Sequence, residues 1–369
     1  MEKRNNSSAS PHLCGKFYLI KFATQNFYKV ILVTGGTGLV GSHLLFDLCR
    51  SGKQVRALKS SNSDLANVKK VFSYYVDNSD TLLKNIEWVN ADLLDVYSLI
   101  EAMEGITHVY HCAAMVSFEP KHEDEMRRIN IEGTANMVNA ALEKGIKKFC
   151  HVSSIAAIGR AEHTALSDEE TFWKSSPDHS NYSISKYASE REVWRASEEG
   201  LNVVIVNPSL IIGAGNWEQS SAAMFGKGYE GLKYYTNGLN GFIDVRDVAA
   251  LMIVLMESEI KNQRFLLSSE NTAYRRFFDL MHREFGKPKS YIKVGRLLTG
   301  FAWRAEKIRS MITGARPFIT KETANSSHNV SSFSNEKIKK AFPNYQFIPI
   351  EQSIKDTCKL FLKEKEKSH

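Results

Sequence analysis

The fold is decided by residues 30–41, which read VILVTGGTGLVG, and by the amphipathic segment that follows them as far as Arg50. A short β-branched run predicts a buried strand, and the segment behind it predicts a helix. Between them, Gly35 permits a tight turn, Gly38 lets backbone amides approach a diphosphate, and Gly41 lets the helix lie close to the strand. This context predicts the diphosphate-binding turn of a dinucleotide-binding domain.

The same alternation continues along the chain, where short β-branched runs are separated by longer amphipathic segments. It is typical of an α/β fold with a doubly wound parallel sheet. The predicted strands are 30–33, 54–58, 87–90, 108–112, 149–152 and 203–206, and helices are predicted to begin near Gly41, Leu94, Met126 and Tyr182.

These elements predict a division of the chain. Residues 1–27 are expected to be a flexible extension, and residues 28–207 a dinucleotide-binding domain to which 241–270 return. Residues 208–240 and 271–369 are expected to form a smaller, mainly helical substrate-binding cap. Because glycines crowd the interval 213–241, loops with little helix are predicted there.

Composition narrows the class of protein. With 369 residues, of which 43% are hydrophobic and 24% charged, the chain can bury a large core. The net charge is +7, but no basic and aromatic motif accompanies it, so no nucleic-acid partner is expected. Five cysteines without a Cys-x-x-Cys pair predict reduced thiols in the cytoplasm and no metal site. No stretch has the roughly 20 apolar residues of a transmembrane segment.

Proton transfer is suggested by Tyr182 and Lys186, which are four residues apart in a predicted helix and so share one face. An ammonium beside a phenol would lower the pKa of the phenol and suit it to general acid and base chemistry. Ser153 and Ser154 follow the fifth predicted strand, at the sheet edge where ligands bind. A serine there can hydrogen-bond a substrate oxygen.

The end of the second predicted strand bears on the choice of cofactor. An acidic residue there would bond the ribose hydroxyls of NAD, whereas cations would neutralise the extra phosphate of NADP. Residues 55–61 read VRALKSS, with no carboxylate before Asp64. Arg56 and Lys59 are therefore predicted to bind the phosphate of NADP, with NAD as the alternative.

With these motifs in combination, the chain resembles the extended short-chain dehydrogenases/reductases of the NAD-dependent epimerase/dehydratase superfamily, from about residue 29 to the end. The resemblance implies a Rossmann fold and oxidoreductase chemistry in which Tyr182 is the general acid and base and Lys186 tunes it. It also implies that Ser154 is the catalytic serine and that Asn130 supports a proton relay to the lysine. The implied cofactor contacts are Gly35, Thr37, Gly38, Leu39, Val40 and Gly41, Asp92 and Leu93, Cys112, Ala113 and Ala114, Lys186, and Pro208 and Ser209.

Two departures from the family pattern concern the substrate. Asn207 replaces the usual arginine before Pro208, and Leu210 stands where nucleotide-sugar epimerases carry an asparagine that touches the substrate phosphate. An apolar side chain cannot make that contact. The segment is closer to dihydroflavonol reductase-like and hydroxysteroid dehydrogenase-like members, whose substrates are less polar.

Three functions are open at this point. The first is an NAD(P)-dependent reductase or dehydrogenase acting on a small ketone or secondary alcohol. The second is a nucleotide-sugar epimerase or dehydratase with tightly bound NAD, although residues 155–157 offer no carboxylate beside the serine. The third is a non-catalytic dinucleotide sensor, against which the presence of both Tyr182 and Lys186 argues. Helices predicted over 126–143 and 182–199 resemble a dimer contact of the family, which implies a homodimer.

Overall fold

The glycine loop joins a strand to a helix, as its sequence predicts. A computed structural model describes residues 31–159, 166–176, 179–314, 317 and 319–367, so the predicted extension 1–27 lies outside the described residues. The strands are β1 (Ile31–Thr34), β2 (Val55–Lys59), β3 (Ile86–Asn90), β4 (His108–His111), β5 (Lys148–Val152), β6 (Val203–Pro208), β7 (Leu210–Ile212), β8 (Tyr234–Tyr235), β9 (Leu239–Asp244), β10 (Gln263–Leu267), β11 (Glu270–Ala273) and β12 (Ile292–Lys293).

The helices cover the sheet and build a second layer beyond it. They are α1 (Leu39–Arg50), α2 (Leu65–Ser73), α3 (Asp80–Leu83), α4 (Val96–Ala102), α5 (Glu123–Arg127), α6 (Gly133–Glu143), α7 (Asn181–Glu198), α8 (Ala223–Glu230), α9 (Val245–Glu257), α10 (Tyr274–Glu284), α11 (Arg296–Thr313), α12 (Lys321–Ser326), α13 (Glu336–Ala341) and α14 (Ile350–Lys367). A π-helical turn, Arg128–Glu132, joins α5 to α6.

The central sheet confirms the predicted doubly wound fold. Its seven strands are parallel and ordered β3-β2-β1-β4-β5-β6-β10. The strand order reverses beside β1, where the chain crosses from β3 back to β4. In such sheets the crevice at the carboxyl ends of the strands, next to this reversal, is where ligands bind.

Both faces of the sheet are apolar, which is why its strands read as continuous hydrophobic runs. On β1, Ile31 and Val33 pack under α1 and α9, whereas Leu32 packs under α4, α6 and α7 on the opposite face. A further cluster, built from α8, β9, α10 and α14, includes Phe242, Phe277 and Phe361. This third cluster belongs to the carboxyl-terminal part that borders the carboxyl edge of the sheet.

The prediction of little helix in 213–241 is wrong, because α8 lies within that interval. Some of its glycines mark close packing, whereas Gly231 ends α8 with φ of +85°. A Cβ added at Gly228 would collide with the sulfur of Met281 on α10, so a bare backbone is what lets the two helices approach. A glycine inside a helix for this reason cannot be distinguished by sequence from one in a loop.

The close approach of α1 to the loop predicts a clear effect of one added methyl group. A Cβ at Gly41 would collide with the backbone of Gly35 and Gly36, whereas a Cβ at Gly226 in α8 would meet no heavy atom within 4 Å. We expect Gly41→Ala to lower the free energy of unfolding by about 1–3 kcal/mol. Gly226→Ala, the matched control, should leave it unchanged or raise it by up to about 1 kcal/mol. Thermal unfolding of both variants measures this, and equal midpoints would contradict it.

Candidate active site

A cleft of about 2040 Å³ opens at the carboxyl edge of the sheet. Its walls come from the glycine loop, the ends of β5 and β6, the start of α7 and the carboxyl-terminal segments. The predicted residues that line it are Gly35, Gly38, Leu39, Val40, Gly41, Cys112, Ala114, Ser154, Tyr182, Lys186, Pro208 and Ser209. The fold therefore brings most of the predicted site residues to one cavity.

The glycine loop suits a diphosphate. Gly38 precedes α1, its amide donates to the carbonyl oxygen of Gly35 at 3.0 Å, and no side chain caps this helix among the described residues. The first amides of a helix without such a cap bind anions well. Gly35 has φ of +67°, and a Cβ there would lie 2.6 Å from the amide nitrogen of Ala113. Only glycine keeps this cradle open.

Polar core contacts fix the strand ends around the loop. The hydroxyl of Thr34 lies 2.8 Å from Nδ1 of His111 and accepts a hydrogen bond from the amide of Ala113 at 3.1 Å. Burial lowers the pKa of His111 to about 3, so its ring is neutral. The neighbouring ring of His151 has no hydrogen-bond partner among the described residues. Both histidines are packing groups of the sheet.

Tyr182 lies in the first turn of α7, which begins because Ser180 caps it by accepting the amide of Ser183 at 3.0 Å. The phenol shares a hydrogen bond with Ser154. Burial raises the pKa of Tyr182 above its ordinary value, and the bond with Ser154 lowers it by less. The net lowering that the sequence predicts is not found, because desolvation of the phenolate is the larger effect in this structure; the tuning of the phenol by Lys186 stays a prediction.

Lys186 follows one turn later and is buried. Its ammonium donates to the carbonyl oxygen of Val152 at 2.9 Å, at the end of β5. Burial lowers the pKa of Lys186 to about 8, while the carboxylate of Glu190 raises it. The lysine thus changes charge near neutral pH, close to where Tyr182 meets Ser154.

Asn130 lies in the π-helical turn, a feature that is frequent at functional sites. Its amide accepts from the Met115 nitrogen at 2.7 Å and donates to the Met115 oxygen at 2.9 Å and to Ser185 at 3.0 Å. These bonds fasten the loop after β4 to α7, beside Lys186. The relay to the lysine that the resemblance implies stays a prediction.

Glu190 is a site residue that the sequence analysis missed. Its Oε2 accepts from Ser153 at 2.5 Å and from the amide of Asn207 at 2.7 Å. Its Oε1 accepts from Arg264 on β10 and from Trp194, both at 3.2 Å. Asn207 also donates to the carbonyl oxygen of Ser154 at 3.0 Å. The four-residue spacing from Lys186 on one helix was the signal that could have revealed this carboxylate.

The prediction for Arg56 is wrong. Its guanidinium bonds Glu87 at 2.9 Å and the carbonyl oxygens of Ala102 and Glu104 at the end of α4. Arg56 stands near the amino end of β2, so these partners lie at the sheet edge opposite the cleft. Lys59, at the carboxyl end of the same strand, is on the correct side.

Besides Arg56 and Lys59, four predicted contacts do not line the cleft: Thr37, Asp92, Leu93 and Ala113. The carbonyl oxygen of Thr37 accepts from Asn67 at 2.8 Å. Asp92 is exposed after β3, where its carboxylate accepts the amide of Leu94 at 2.9 Å, and Leu93 packs against Gly133. Their contacts with the cofactor stay predictions.

The outer part of the cleft is rich in apolar side chains. The ring of Phe118 meets Tyr182 edge to face, with centroids 5.7 Å apart. Leu210 lies on the floor, and aromatic side chains of α10 contribute to the wall, among them Tyr274 and Phe278. The space beside Tyr182 therefore suits a weakly polar molecule.

Comparison with known proteins identifies the family of the chain. Residues 31–267 match the NAD dependent epimerase/dehydratase family. The chain is 32% identical over 285 residues to a putative dihydroflavonol 4-reductase from Synechocystis sp., covering 75% of this chain and 78% of that protein. It is 28% identical over 274 residues to sterol demethylase protein B from Methylococcus capsulatus, covering 73% and 79%. A UDP-glucose 4-epimerase from Thermotoga maritima shares the fold, with a TM-score of 0.70, 19% identity and coverage of 91% and 99%.

The family match spans well over half of the chain and includes the glycine loop, the serine and the tyrosine–lysine pair. It confirms the resemblance stated from the sequence. The chain belongs to the NAD dependent epimerase/dehydratase family, among the extended short-chain dehydrogenases/reductases, and it is an NAD(P)-dependent enzyme.

Proposed function

We propose that the protein is a reductase or dehydrogenase that interconverts a ketone and a secondary alcohol. The observation that carries the proposal is that Ser154, Tyr182 and Lys186 line the same cleft as the glycine loop. When bound, the nicotinamide supplies or accepts the hydride at the substrate carbon. Every proton in the reaction is then handled by side chains of this chain.

In the direction of reduction, the phenol of Tyr182 gives its proton to the carbonyl oxygen as that oxygen becomes an alcohol. Ser154 bonds the same oxygen and orients it. The raised pKa of Tyr182 keeps the phenol protonated at neutral pH, which suits this step. In the reverse direction, the phenolate takes the alcohol proton, and the positive charge of Lys186 one turn away stabilises the phenolate.

The substrate that fits best is a compact, weakly polar molecule with a ring ketone or alcohol. Leu210 and Phe118 offer no group that could bind a phosphate. Two of the similar proteins are named for a sterol and for dihydroflavonol, which are ring compounds. The alternative function is that of a nucleotide-sugar epimerase. The UDP-glucose 4-epimerase of similar structure is 19% identical to this chain, and that similarity supports a shared fold alone. Epimerisation would proceed without net oxidation of the reduced nicotinamide, so its absorbance separates the two functions.

For the cofactor, we propose NADP held through Lys59, since Arg56 faces the other edge of the sheet. Asn130 and Glu190 act in this proposal as positioning residues. The homodimer and the cytoplasmic location stay predictions from the sequence.

Replacing Tyr182 tests the acid–base role. We expect Tyr182→Phe to lower kcat by about 10²–10⁴-fold while cofactor binding is unchanged, because only the transferable proton is lost. Tyr187→Phe is the matched control, because Tyr187 lies on the same helix and its ring stacks on Trp173 at 4.4 Å. Turnover with a panel of cyclic ketones measures both. Undiminished turnover by the Tyr182→Phe variant would contradict the proposal.

Replacing Lys59 tests cofactor choice. We expect Lys59→Gln to raise KM for NADPH about tenfold and to leave KM for NADH unchanged, because only NADPH carries the second phosphate. Arg56→Gln should leave the ratio of the two KM values as it was. An equal change with both cofactors, or the same ratio shift in Arg56→Gln, would speak against Lys59.

Replacing Glu190 tests its effect on Lys186. Because the carboxylate raises the pKa of Lys186, Glu190→Gln should lower that pKa further, and the alkaline limb of kcat/KM should move to lower pH. Loss of the buried charge should also cost about 3 kcal/mol of stability. Glu192→Gln, which removes a half-exposed partner of Arg195 from the same helix, is the control. A loss of stability with an unmoved pH profile would leave Glu190 a purely structural residue.

A further inference from the structure

Helix α11 presents its apolar side chains to solvent. Leu297 is 83% exposed, Phe301 72%, Ile308 60% and Ile312 79%. Their spacing of four, seven and four residues places them on one face of the helix. A surface helix normally turns this face to the core, so the orientation is the reverse of the usual one.

The face that α11 turns to the protein is mixed, because Trp303 stands among polar residues. Thr299 lies 2.9 Å from Nε2 of His328, and Trp303, Glu306 and Ser310 follow on the same side, half-buried. No residue of α11 is fully buried. Within the described part of the chain, α11 packs against α12 and contacts His328, while the side chains of its apolar face are mostly exposed. Contiguous exposed apolar surface of this kind marks an interaction site.

Charge indicates which partner fits. The exposed apolar face is flanked by the exposed cations Arg296, Arg304 and Lys307. The acidic residue of the helix, Glu306, is paired with Arg309 at 2.6 Å. An apolar face bordered by cations is the pattern of a helix that lies in the headgroup region of an anionic bilayer. None of the helices in the described ranges is long and apolar enough to span a membrane.

The same helix borders the cleft. Leu298, Phe301 and Ala305 line it, whereas Leu297, Ile308 and Ile312 stand outside it. We propose that α11 docks on the surface of a bilayer containing anionic lipid and holds the mouth of the cleft against the acyl boundary. A weakly polar substrate could then enter without crossing water. The docking step itself does not rest on the proposed function, because binding is measured without turnover.

Flotation of the full chain with vesicles tests the proposal. The probes are vesicles of phosphatidylcholine alone and vesicles of phosphatidylcholine mixed with phosphatidylserine. We expect flotation with the mixed vesicles, weaker flotation with phosphatidylcholine alone, and release by added salt. The triple variant Leu297→Gln, Ile308→Gln, Ile312→Gln should bind the mixed vesicles at least about tenfold more weakly. Its side chains lie outside the cleft, so turnover of a dissolved substrate should be retained.

The control replaces exposed aromatic residues elsewhere, Tyr97→Gln with Phe172→Gln, which are 76% and 84% exposed in the parent chain. It should float like the parent. No flotation of the parent, equal flotation with both kinds of vesicle, or unchanged binding by the triple variant would overturn the proposal. It would also be overturned if the triple variant turned a dimer into a monomer in sedimentation, because the apolar face would then be a contact between two copies.

Discussion

One buried carboxylate, that of Glu190, joins the elements that carry the site. It receives hydrogen bonds from Ser153 after β5, Asn207 on β6 and Arg264 on β10. Taking a carboxylate out of water costs several kcal/mol, and only a full set of donors offsets this. The set is complete here, so α7 is fixed against three strand ends at once. Ser154 follows Ser153 directly, so the same contacts also fix the position of its backbone.

This constraint also sets the protonation chemistry. Lys186 stands between the carboxylate of Glu190, which raises its pKa, and a buried environment, which lowers it to about 8. For Tyr182, one turn earlier, burial raises the pKa of the phenol. Both shifts favour the uncharged form of each group in the closed part of the cleft. An uncharged phenol can donate a proton, which is what the proposed carbonyl reduction requires of Tyr182.

The sequence was sufficient for what is local and periodic. Each strand of the first six ends within two residues of its prediction, and Gly35 and Gly41 lie where the loop pattern requires. It failed where a side chain's role depends on a distant partner. Arg56 follows the charge rule for a phosphate site, yet its place near the amino end of β2 directs it to α4. The roles of Glu190 and Arg264 depend on β10 pairing with β6, which no local pattern contains.

The pairing of β10 with β6 also explains how the chain accommodates Asn207 in place of the arginine of the family pattern. An asparagine there carries no charge, but it can donate to both Ser154 and Glu190. The positive charge that the carboxylate needs comes instead from Arg264, on the neighbouring strand. Because the guanidinium approaches Glu190 from β10, the end of β6 is free of cations where it meets the cleft. Pro208, Ser209 and Leu210 then form an uncharged part of the lining, so a cation for a phosphate-bearing substrate would have to come from elsewhere in the cleft, where Arg275, Arg296 and Lys321 lie.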